Sequence, residues 1–322
     1  MGGVFMNLIS DRYEILDRYE DIIFGKLYKA RDLFENKLVF VQVIEDNKYI
    51  SGNFIPNLID ESTMLMQIKS SNIAKILDVG TDYINNKECY YIVNEFFSGI
   101  ELKKVIKGNY MDLNSIVNIT KKILRTLSSA FGYGLYHGSL NEDNIFVDEN
   151  HNIKIYDYCI TKANNGVNIR KGNYIGFLSP HQLNIDYTDL ESDFFTLGVI
   201  LFDAIFKKMP FGIGKNEKEM LKLIDKGIDW NTVGVNNENI ALVNIVKKLI
   251  RRKDKYNSTD EVLIDLSKFM YVKADIKDPQ VDKLEFEGST ISSGKKGNKF
   301  FPKAVLLVLT VIILFTIIVK FK

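Results

Sequence analysis

The segment at residues 136–158, which reads YHGSLNEDNIFVDENHNIKIYDY, constrains the fold more than any other part of the chain. Two short apolar alternations, at 145–147 and 153–156, flank the polar run DENHN, which is rich in turn-forming residues. This pattern predicts two short strands joined by a tight hairpin. Asp157 then stands at the end of the second strand, where we expect it to face back toward Asn144.

The same segment resembles the catalytic loop and metal-binding segment of the protein kinase family, H-R-D-L-x-x-x-N followed by D-F-G. His137 matches the residue that orients this loop in the family, and Asn144 and Asp157 match the two metal-binding positions. Ordinary turn chemistry at strand ends is the alternative for the last two, but their joint spacing favours the family. The chemistry departs from it, because Gly138 replaces the Arg and Ser139 the catalytic Asp. A serine hydroxyl is not a general base at neutral pH.

Strand patterns precede this segment, and helical periodicity surrounds and follows it. We predict strands at 13–16, 26–30, 38–44, 74–80 and 90–94, with an irregular helix at 55–68. Helices are predicted at 111–136, with Asp112 as the N-terminal cap, and at 189–206, 240–250 and 259–270. The expected fold class is therefore α+β, with a β-rich N-terminal lobe and a helical C-terminal lobe. This is the two-lobed architecture that the resemblance implies.

The resemblance covers about residues 13–270 and divides the chain into successive parts. We expect a kinase-like N-terminal lobe at 11–97 and a kinase-like C-terminal lobe at 98–272. A polar stretch with several Gly and Ser residues predicts a flexible juxtamembrane linker at 273–301. A transmembrane helix is predicted at 302–320.

The membrane prediction rests on residues 304–319, AVLLVLTVIILFTIIV, which contain no charged residue. With the adjacent phenylalanines, this stretch approaches the roughly 20 residues that a bilayer-spanning helix needs. A buried core helix is the alternative, but apolar residues all round the helix favour a single-pass C-terminal anchor. Four lysines precede the stretch and two follow it: Lys295, Lys296, Lys299 and Lys303 come before, and Lys320 and Lys322 come after. This excess of positive charge on the N-terminal side predicts that the bulk of the chain is cytoplasmic.

Charge and cysteine content exclude other classes of function. Basic and acidic residues nearly balance, giving a net charge of +1, so no bulk field attracts nucleic acid and we expect no nucleic-acid partner. Cys89 and Cys159 are far apart in sequence, and no secretory signal is seen at the N-terminus. Both cysteines are expected to be reduced and buried.

The resemblance implies ATP and Mg²⁺ as cofactors, but several residues at the nucleotide positions differ from the family. Of the glycines expected between the first two strands, only Gly25 is present, and Glu20 and Ile22 occupy the other positions. Gln42 stands at the strand lysine that pairs with the phosphates, and an amide cannot neutralise their charge. Glu61 matches the helix glutamate that normally pairs with this lysine; a surface glutamate with a local partner is the alternative.

The hinge between the lobes is expected at Glu95 and Phe97, after a polar residue, Asn94, that is compatible with an open adenine pocket. The expected cofactor-binding residues are Gly25, Glu95, Phe97, Asn144 and Asp157, of which Asn144 and Asp157 are the expected metal ligands. No catalytic residue is intact at Gln42 or Ser139, whereas Glu61 and His137 are retained.

An ion pair that the family forms within its helical lobe is also altered. Ser179-Pro180-His181 stands at the family's A-P-E, so His181 replaces a glutamate, and Lys255 stands where the family has the arginine that pairs with it. Because both halves of one ion pair differ together, we expect a remodelled contact.

These observations favour a membrane-anchored serine/threonine kinase homologue that is a catalytically impaired pseudokinase. It resembles the cytoplasmic part of bacterial PASTA-type membrane kinases, and its expected role is that of a scaffold or allosteric partner of an active kinase, a phosphoprotein or a membrane complex. The alternative is an active or weakly active ATP-dependent kinase with displaced residues: Lys26 or Lys29 for the missing lysine, and Asp143 or Asp148 for the missing base. A further alternative is nucleotide binding without turnover.

Overall fold

The computed structural model of the protein describes residues 8–22, 24–84, 86–167, 172–252 and 254–276. The predicted membrane segment at 302–320 lies outside the described residues, as does most of the predicted linker. Among the helices that are described, none is both long enough and apolar enough to cross a bilayer. The last of them continues to Ile276, so the start of the predicted linker, at 273–276, is helical rather than flexible.

An antiparallel sheet with one helix forms the N-terminal lobe. Its strands are β1 (Leu8–Ile9), β2 (Tyr13–Ile22), β3 (Gly25–Asp32), β4 (Lys37–Glu45), β5 (Ile76–Ile84) and β6 (Lys87–Glu95), arranged in the order β1-β2-β3-β4-β6-β5. β4 lies inside the sheet, and its residues from Val39 to Ile44 are all buried, as its continuous apolar run predicts. The helix α1 (Phe54–Leu65) buries Phe54 and Leu58 against the core.

Helices and one small sheet form the helical lobe. The small sheet contains β7 (Ile100–Glu101), β8 (Ile145–Val147) and β9 (Ile153–Ile155). The helices are α2 (Leu102–Lys107), α3 (Leu113–Phe131), α4 (Ile160–Ala163), α5 (Pro180–Ile185), α6 (Leu190–Phe206), α7 (Glu217–Lys226), α8 (Ile240–Ile250) and α9 (Thr259–Ile276), with a 3-10 helix at Gly172–Phe177. The predicted α+β fold with two lobes is confirmed.

The hairpin predicted from the sequence is present. β8 and β9 pair antiparallel with Ile145 opposite Ile155. The side chain of Asp148 accepts hydrogen bonds from the backbone N–H groups of Asn150 and Asn152, which fixes the turn. The end of β9 thereby delivers Asp157 beside the catalytic-loop segment.

Aspartate side chains cap two of the helices, one of them as predicted. Asp112 accepts a hydrogen bond from the Ser115 N–H at 2.7 Å and so begins α3 as predicted. Asp189 caps α6 in the same way, through the Ser192 N–H at 2.8 Å. Most of α6 is buried, because its residues are apolar on nearly every side and other helices cover it.

The two lobes share their interior. The largest apolar cluster extends from Phe24 and Phe54 in the N-terminal lobe to Phe202 in α6 and Leu266 in α9. A smaller cluster lies between the lobes and is described below. Cys89 and Cys159 are buried and form no disulfide, as expected.

Candidate active site

The catalytic-loop segment is anchored to α6 by its backbone. The N–H groups of His137 and Gly138 each donate to the Asp193 carboxylate at 2.8 Å. The His137 Nε2 lies 2.8 Å from the carbonyl oxygen of Tyr156, which ties the loop to the end of β9. Burial lowers the pKa of His137 to about 4 and raises the pKa of Asp193 to about 7. The imidazole is therefore neutral at physiological pH and positions the loop.

Gly138 is required by the local geometry. Its φ is +73°, and a Cβ at this position would lie 2.6 Å from the Thr188 methyl and 2.9 Å from the Thr161 methyl. No side chain fits there without a shift of its neighbours. The arginine that the family has at this position would therefore not fit between Thr188 and Thr161.

No carboxylate takes the position of the missing base among the described residues. The Ser139 Oγ lies 3.3 Å from the His137 Nδ1 and is buried. Asp143 is bound by the Lys103 Nζ at 3.1 Å and by the Tyr174 hydroxyl at 2.6 Å. Asp148 is occupied by the hairpin turn. Neither of the two predicted substitutes is therefore available near Ser139.

Asn144 and Asp157 lie side by side, as their spacing predicts. The Asn144 Nδ2 is 3.4 Å from the Asp157 Oδ2, and the same amide donates to the Ser139 carbonyl at 3.0 Å. The Asn144 Oδ1, which is the oxygen that could bind a cation, accepts from the Asn141 N–H at 3.0 Å. Burial raises the pKa of Asp157 to about 7, opposed by hydrogen bonds from Asn144 and Gln42.

Gln42 holds the turn between β2 and β3 instead of contacting a helix glutamate. Its Nε2 donates to the carbonyl of Phe24 at 3.1 Å, and the Phe24 ring is buried in the main core. Gly25 has a φ of +109°, and a Cβ there would meet the Val43 carbonyl oxygen at 2.0 Å. The turn that cradles phosphates in the family is therefore pressed against β4, and only glycine fits at its end.

The other charged residues of this region have different partners from those predicted. Glu61 forms an ion pair at 2.9 Å with Lys162 of α4, and not with a residue of β4 as in the family. Lys26 pairs with Glu45 at 3.3 Å. The Lys29 ammonium lies 5.2 Å from the centre of the Phe96 ring. Neither lysine is placed to replace the charge missing at Gln42.

Aromatic rings fill the space between the lobes beneath β4. We call this group the interlobe aromatic cluster; it consists of Tyr19, Phe40, Phe96, Phe146 and Tyr156. The Phe40 ring of β4 lies 5.5 Å from the Phe146 ring of β8, between ring centres, and 5.6 Å from the Tyr156 ring. Phe40 is 0% exposed and Phe146 is 1% exposed. These spacings are those of rings in direct contact.

The hinge backbone is bound by the same cluster. The Tyr156 hydroxyl donates to the Glu95 carbonyl at 3.0 Å, and the Phe97 backbone amide faces that hydroxyl. The Tyr19 hydroxyl donates to the Gly99 carbonyl at 3.1 Å and so joins β2 to the residues that follow the hinge. The hinge groups assigned to adenine by the resemblance therefore already have partners within the protein.

These contacts bear on whether ATP and Mg²⁺ fit the described residues. The position of adenine is occupied by rings that touch across the cleft, and the Glu95 carbonyl is already hydrogen-bonded. The phosphate position lacks a cation at Gln42. In this arrangement the described residues do not fit the nucleotide.

The sequence contains a signal for this closure. Aligning β4 with the family's V-A-I-K places Phe40 at the small alanine, two residues before Gln42. The polar Asn94, which is compatible with an open pocket, is itself buried. The decisive residues were therefore the large aromatic ones at the roof and floor of the cleft.

The contact expected to be remodelled near α5 is different from that of the family. His181 does not pair with Lys255; its Nδ1 lies 3.8 Å from the Asp189 carboxylate. Lys255 instead forms an ion pair with Glu191 at the start of α6.

Comparison with known proteins identifies the family. The protein kinase domain family matches residues 23–270. A probable serine/threonine-protein kinase of Clostridium acetobutylicum is 29% identical over 81% of this chain and 40% of its own length. One of Clostridium perfringens is 28% identical over 85% of this chain and 40% of its own length.

The serine/threonine-protein kinase PrkC of Bacillus subtilis is 27% identical over 63% of this chain and 32% of its own length. The chain thus spans about two fifths of the length of the first curated relatives that it matches. Because the family match covers more than half of the chain, and the fold has the expected two lobes, this protein belongs to the protein kinase domain family.

Proposed function

We propose that this protein is a pseudokinase that neither binds ATP nor transfers phosphate, and that acts as a scaffold or allosteric partner of other proteins. One observation carries the proposal: the Phe40 and Phe146 rings lie 5.5 Å apart across the cleft, where adenine would have to enter. Opening this contact would expose two fully buried rings to water, which costs several kcal/mol.

The charged groups support the same proposal. Phosphoryl transfer needs cations near the phosphates and a base near the acceptor hydroxyl. Gln42 and Ser139 supply neither, and the lysines of β3 are engaged elsewhere. The adjacency of Asn144 and Asp157 is the observation that favours the alternative, a weakly active kinase whose metal site persists.

We further propose that residues 302–320 anchor the protein in a membrane by a single C-terminal helix, with the kinase-fold part in the cytoplasm. The uncharged run at 304–319 supports this, together with the excess of lysines before it. The expected partners are then proteins at the membrane surface, such as an active kinase or a membrane complex. We expect the full chain to sediment with membranes after a carbonate wash and a chain ending at Ile276 to stay in the supernatant. Release of the full chain by carbonate would contradict the anchor.

The proposal on activity is tested by restoring the missing chemistry. The double variant Gln42→Lys/Ser139→Asp supplies the lysine and the base while leaving the interlobe aromatic cluster intact. We expect no transfer of radioactive phosphate from ATP to casein or to the protein itself, in either the wild type or the double variant. Transfer by the double variant would show that the pocket admits ATP and would contradict the proposal. Circular dichroism of both proteins controls for folding.

A further inference from the structure

A cavity in the helical lobe lies outside the site described above. It has a volume of about 300 Å³ and opens between α5, α6, α7, α8 and the residues that follow α8. Phe194, Phe195 and Leu249 contribute apolar lining, and Tyr256 adds an aromatic ring. A volume of this size is at the lower end of known ligand pockets and suits one or two side chains.

The charged groups at this cavity do not balance. Arg252 pairs with Asp225 at 2.5 Å, and Lys255 pairs with Glu191. Arg251 also lines the cavity, and within the described part of the chain no ion-pair or hydrogen-bond partner is found for its guanidinium. The cavity therefore carries one positive charge more than its own carboxylates neutralise.

The cavity lies beside the position where the family has a glutamate and this chain does not. His181 stands at the family's A-P-E glutamate and lines the cavity, but its side chain is 53% exposed and lies near Asp189. Lys255, at the position of the family's arginine, also lines it. A basic residue remains at the arginine position, where Lys255 pairs with Glu191, whereas the family's glutamate is replaced by His181.

We propose that this cavity binds an acidic side chain of a protein partner, with the carboxylate on Arg251 and the neighbouring residue of the partner on the apolar lining. An arginine guanidinium binds a carboxylate in a planar, two-pronged geometry. Arg251 is exposed and is therefore accessible to a partner. The preferred sequence is a glutamate next to an aromatic or aliphatic residue. This inference does not depend on whether the cleft between the lobes binds ATP.

The test uses the full chain in detergent and a fluorescein-labelled heptapeptide with a central Glu-Phe pair among Gly and Ser residues. We expect the peptide to bind, and Arg251→Glu to weaken binding at least tenfold. The exposed Arg125 of α3 supplies a matched control, and Arg125→Glu should leave binding unchanged. The same peptide with Gln in place of Glu should bind at least tenfold more weakly than the Glu peptide.

A second variant tests the geometry of the contact. Arg251→Lys keeps the positive charge but loses the two-pronged donor, so we expect the Glu peptide to bind more weakly than to the wild type and more tightly than to Arg251→Glu. Several results would overturn the proposal: no binding of the Glu peptide at millimolar concentration, equal binding of the Gln peptide, or unchanged binding by Arg251→Glu. Binding of a phosphoserine peptide alone would also overturn it, in favour of a phosphate site.

Discussion

Asp157 shows most clearly how single residues of the kinase site have changed their role. The carboxyl group is buried, and the side chains that hydrogen-bond to it, from Asn144 and Gln42, are both neutral. Burial without a compensating cation raises the pKa of Asp157 to about 7. This residue binds a metal ion in the family. Here its carboxyl group is buried, and ionising it costs folding free energy.

This shift has a consequence for stability. The pKa of Asp157 is higher in the folded chain than the usual value near 4, so folding takes up a proton between about pH 4 and pH 7. The contribution of this group to stability therefore falls as pH rises through that window. Asp157→Asn removes the ionisation, and Asp193, whose pKa is also raised, is present in both proteins.

We expect Asp157→Asn to be more stable than the wild type by about 4 kcal/mol at pH 8 and by only about 1 kcal/mol at pH 4.5. Urea unfolding at the two pH values measures the difference. Asp60→Asn, at an exposed position on α1, is the control and should change stability little at either pH. A loss of stability on Asp157→Asn at pH 8 would show that the carboxylate is held by a charge and not merely buried.

The short helix α4 connects the segment after Asp157 to α1 through an ion pair and several hydrogen bonds. Lys162 pairs with Glu61, and the Asn57 side chain donates to the Ala163 carbonyl at 2.9 Å. Asn164 accepts from the Ser51 N–H at 2.8 Å and donates to the Tyr49 carbonyl at 3.1 Å. Each contact joins α4 to the region around α1, so the two helices are expected to open together.

Asn164→Ala tests this connection. Loss of a buried side chain that makes several hydrogen bonds typically costs 1–3 kcal/mol. We expect faster amide hydrogen exchange at 160–167 and at 49–57, with no change in α6 or α8. Asn150→Ala, in the exposed β8–β9 turn, serves as the matched control and should leave both regions unchanged. Unchanged exchange in the 49–57 region of Asn164→Ala would mean that α4 and α1 open independently.

The elements also show what the sequence could predict. The predicted bounds of α6 and of the β8–β9 hairpin agree with the observed ones to within one residue, and α3 ends at Phe131 instead of at residue 136. Periodicity over a long segment, or turn residues between short strands, is a strong local signal. The sequence analysis predicts no helix at α2, α4, α5 or α7. α2, α4 and α5 contain only a few residues, and tertiary contacts such as that between Lys162 and Glu61 stabilise such short helices more than their own propensity does.

The candidate site was predictable in its spacing and not in its contacts. The adjacency of Asn144 and Asp157 follows from the hairpin, which local residues determine. The partner of Glu61 and the closure by Phe40 depend on residues distant in sequence, Lys162 and Phe146. Alternation patterns show only that Phe40 is buried, and they do not show which ring it contacts.

At the scale of the whole molecule, aromatic side chains join the lobes across the cleft. Phe40 and Tyr19 come from the N-terminal lobe, and Phe146 and Tyr156 come from the β8–β9 hairpin and its end. The hydroxyls of Tyr19 and Tyr156 also hydrogen-bond the hinge and the residues that follow it. The lobes of this kinase fold are therefore held together by the chain's own aromatic side chains.

A measurement of nucleotide binding by the full chain shows whether the interlobe aromatic cluster excludes ATP. Thermal unfolding in detergent would be followed with about 5 mM ATP, alone and with Mg²⁺ or Mn²⁺. A ligand at 100 times its Kd stabilises by about 2.7 kcal/mol, which raises the melting temperature of a domain of this size by several degrees. We expect no rise in the melting temperature under any of these conditions. A rise of several degrees that requires the metal would contradict this expectation, because Asn144 and Asp157 would then hold metal and nucleotide in a cleft that opens.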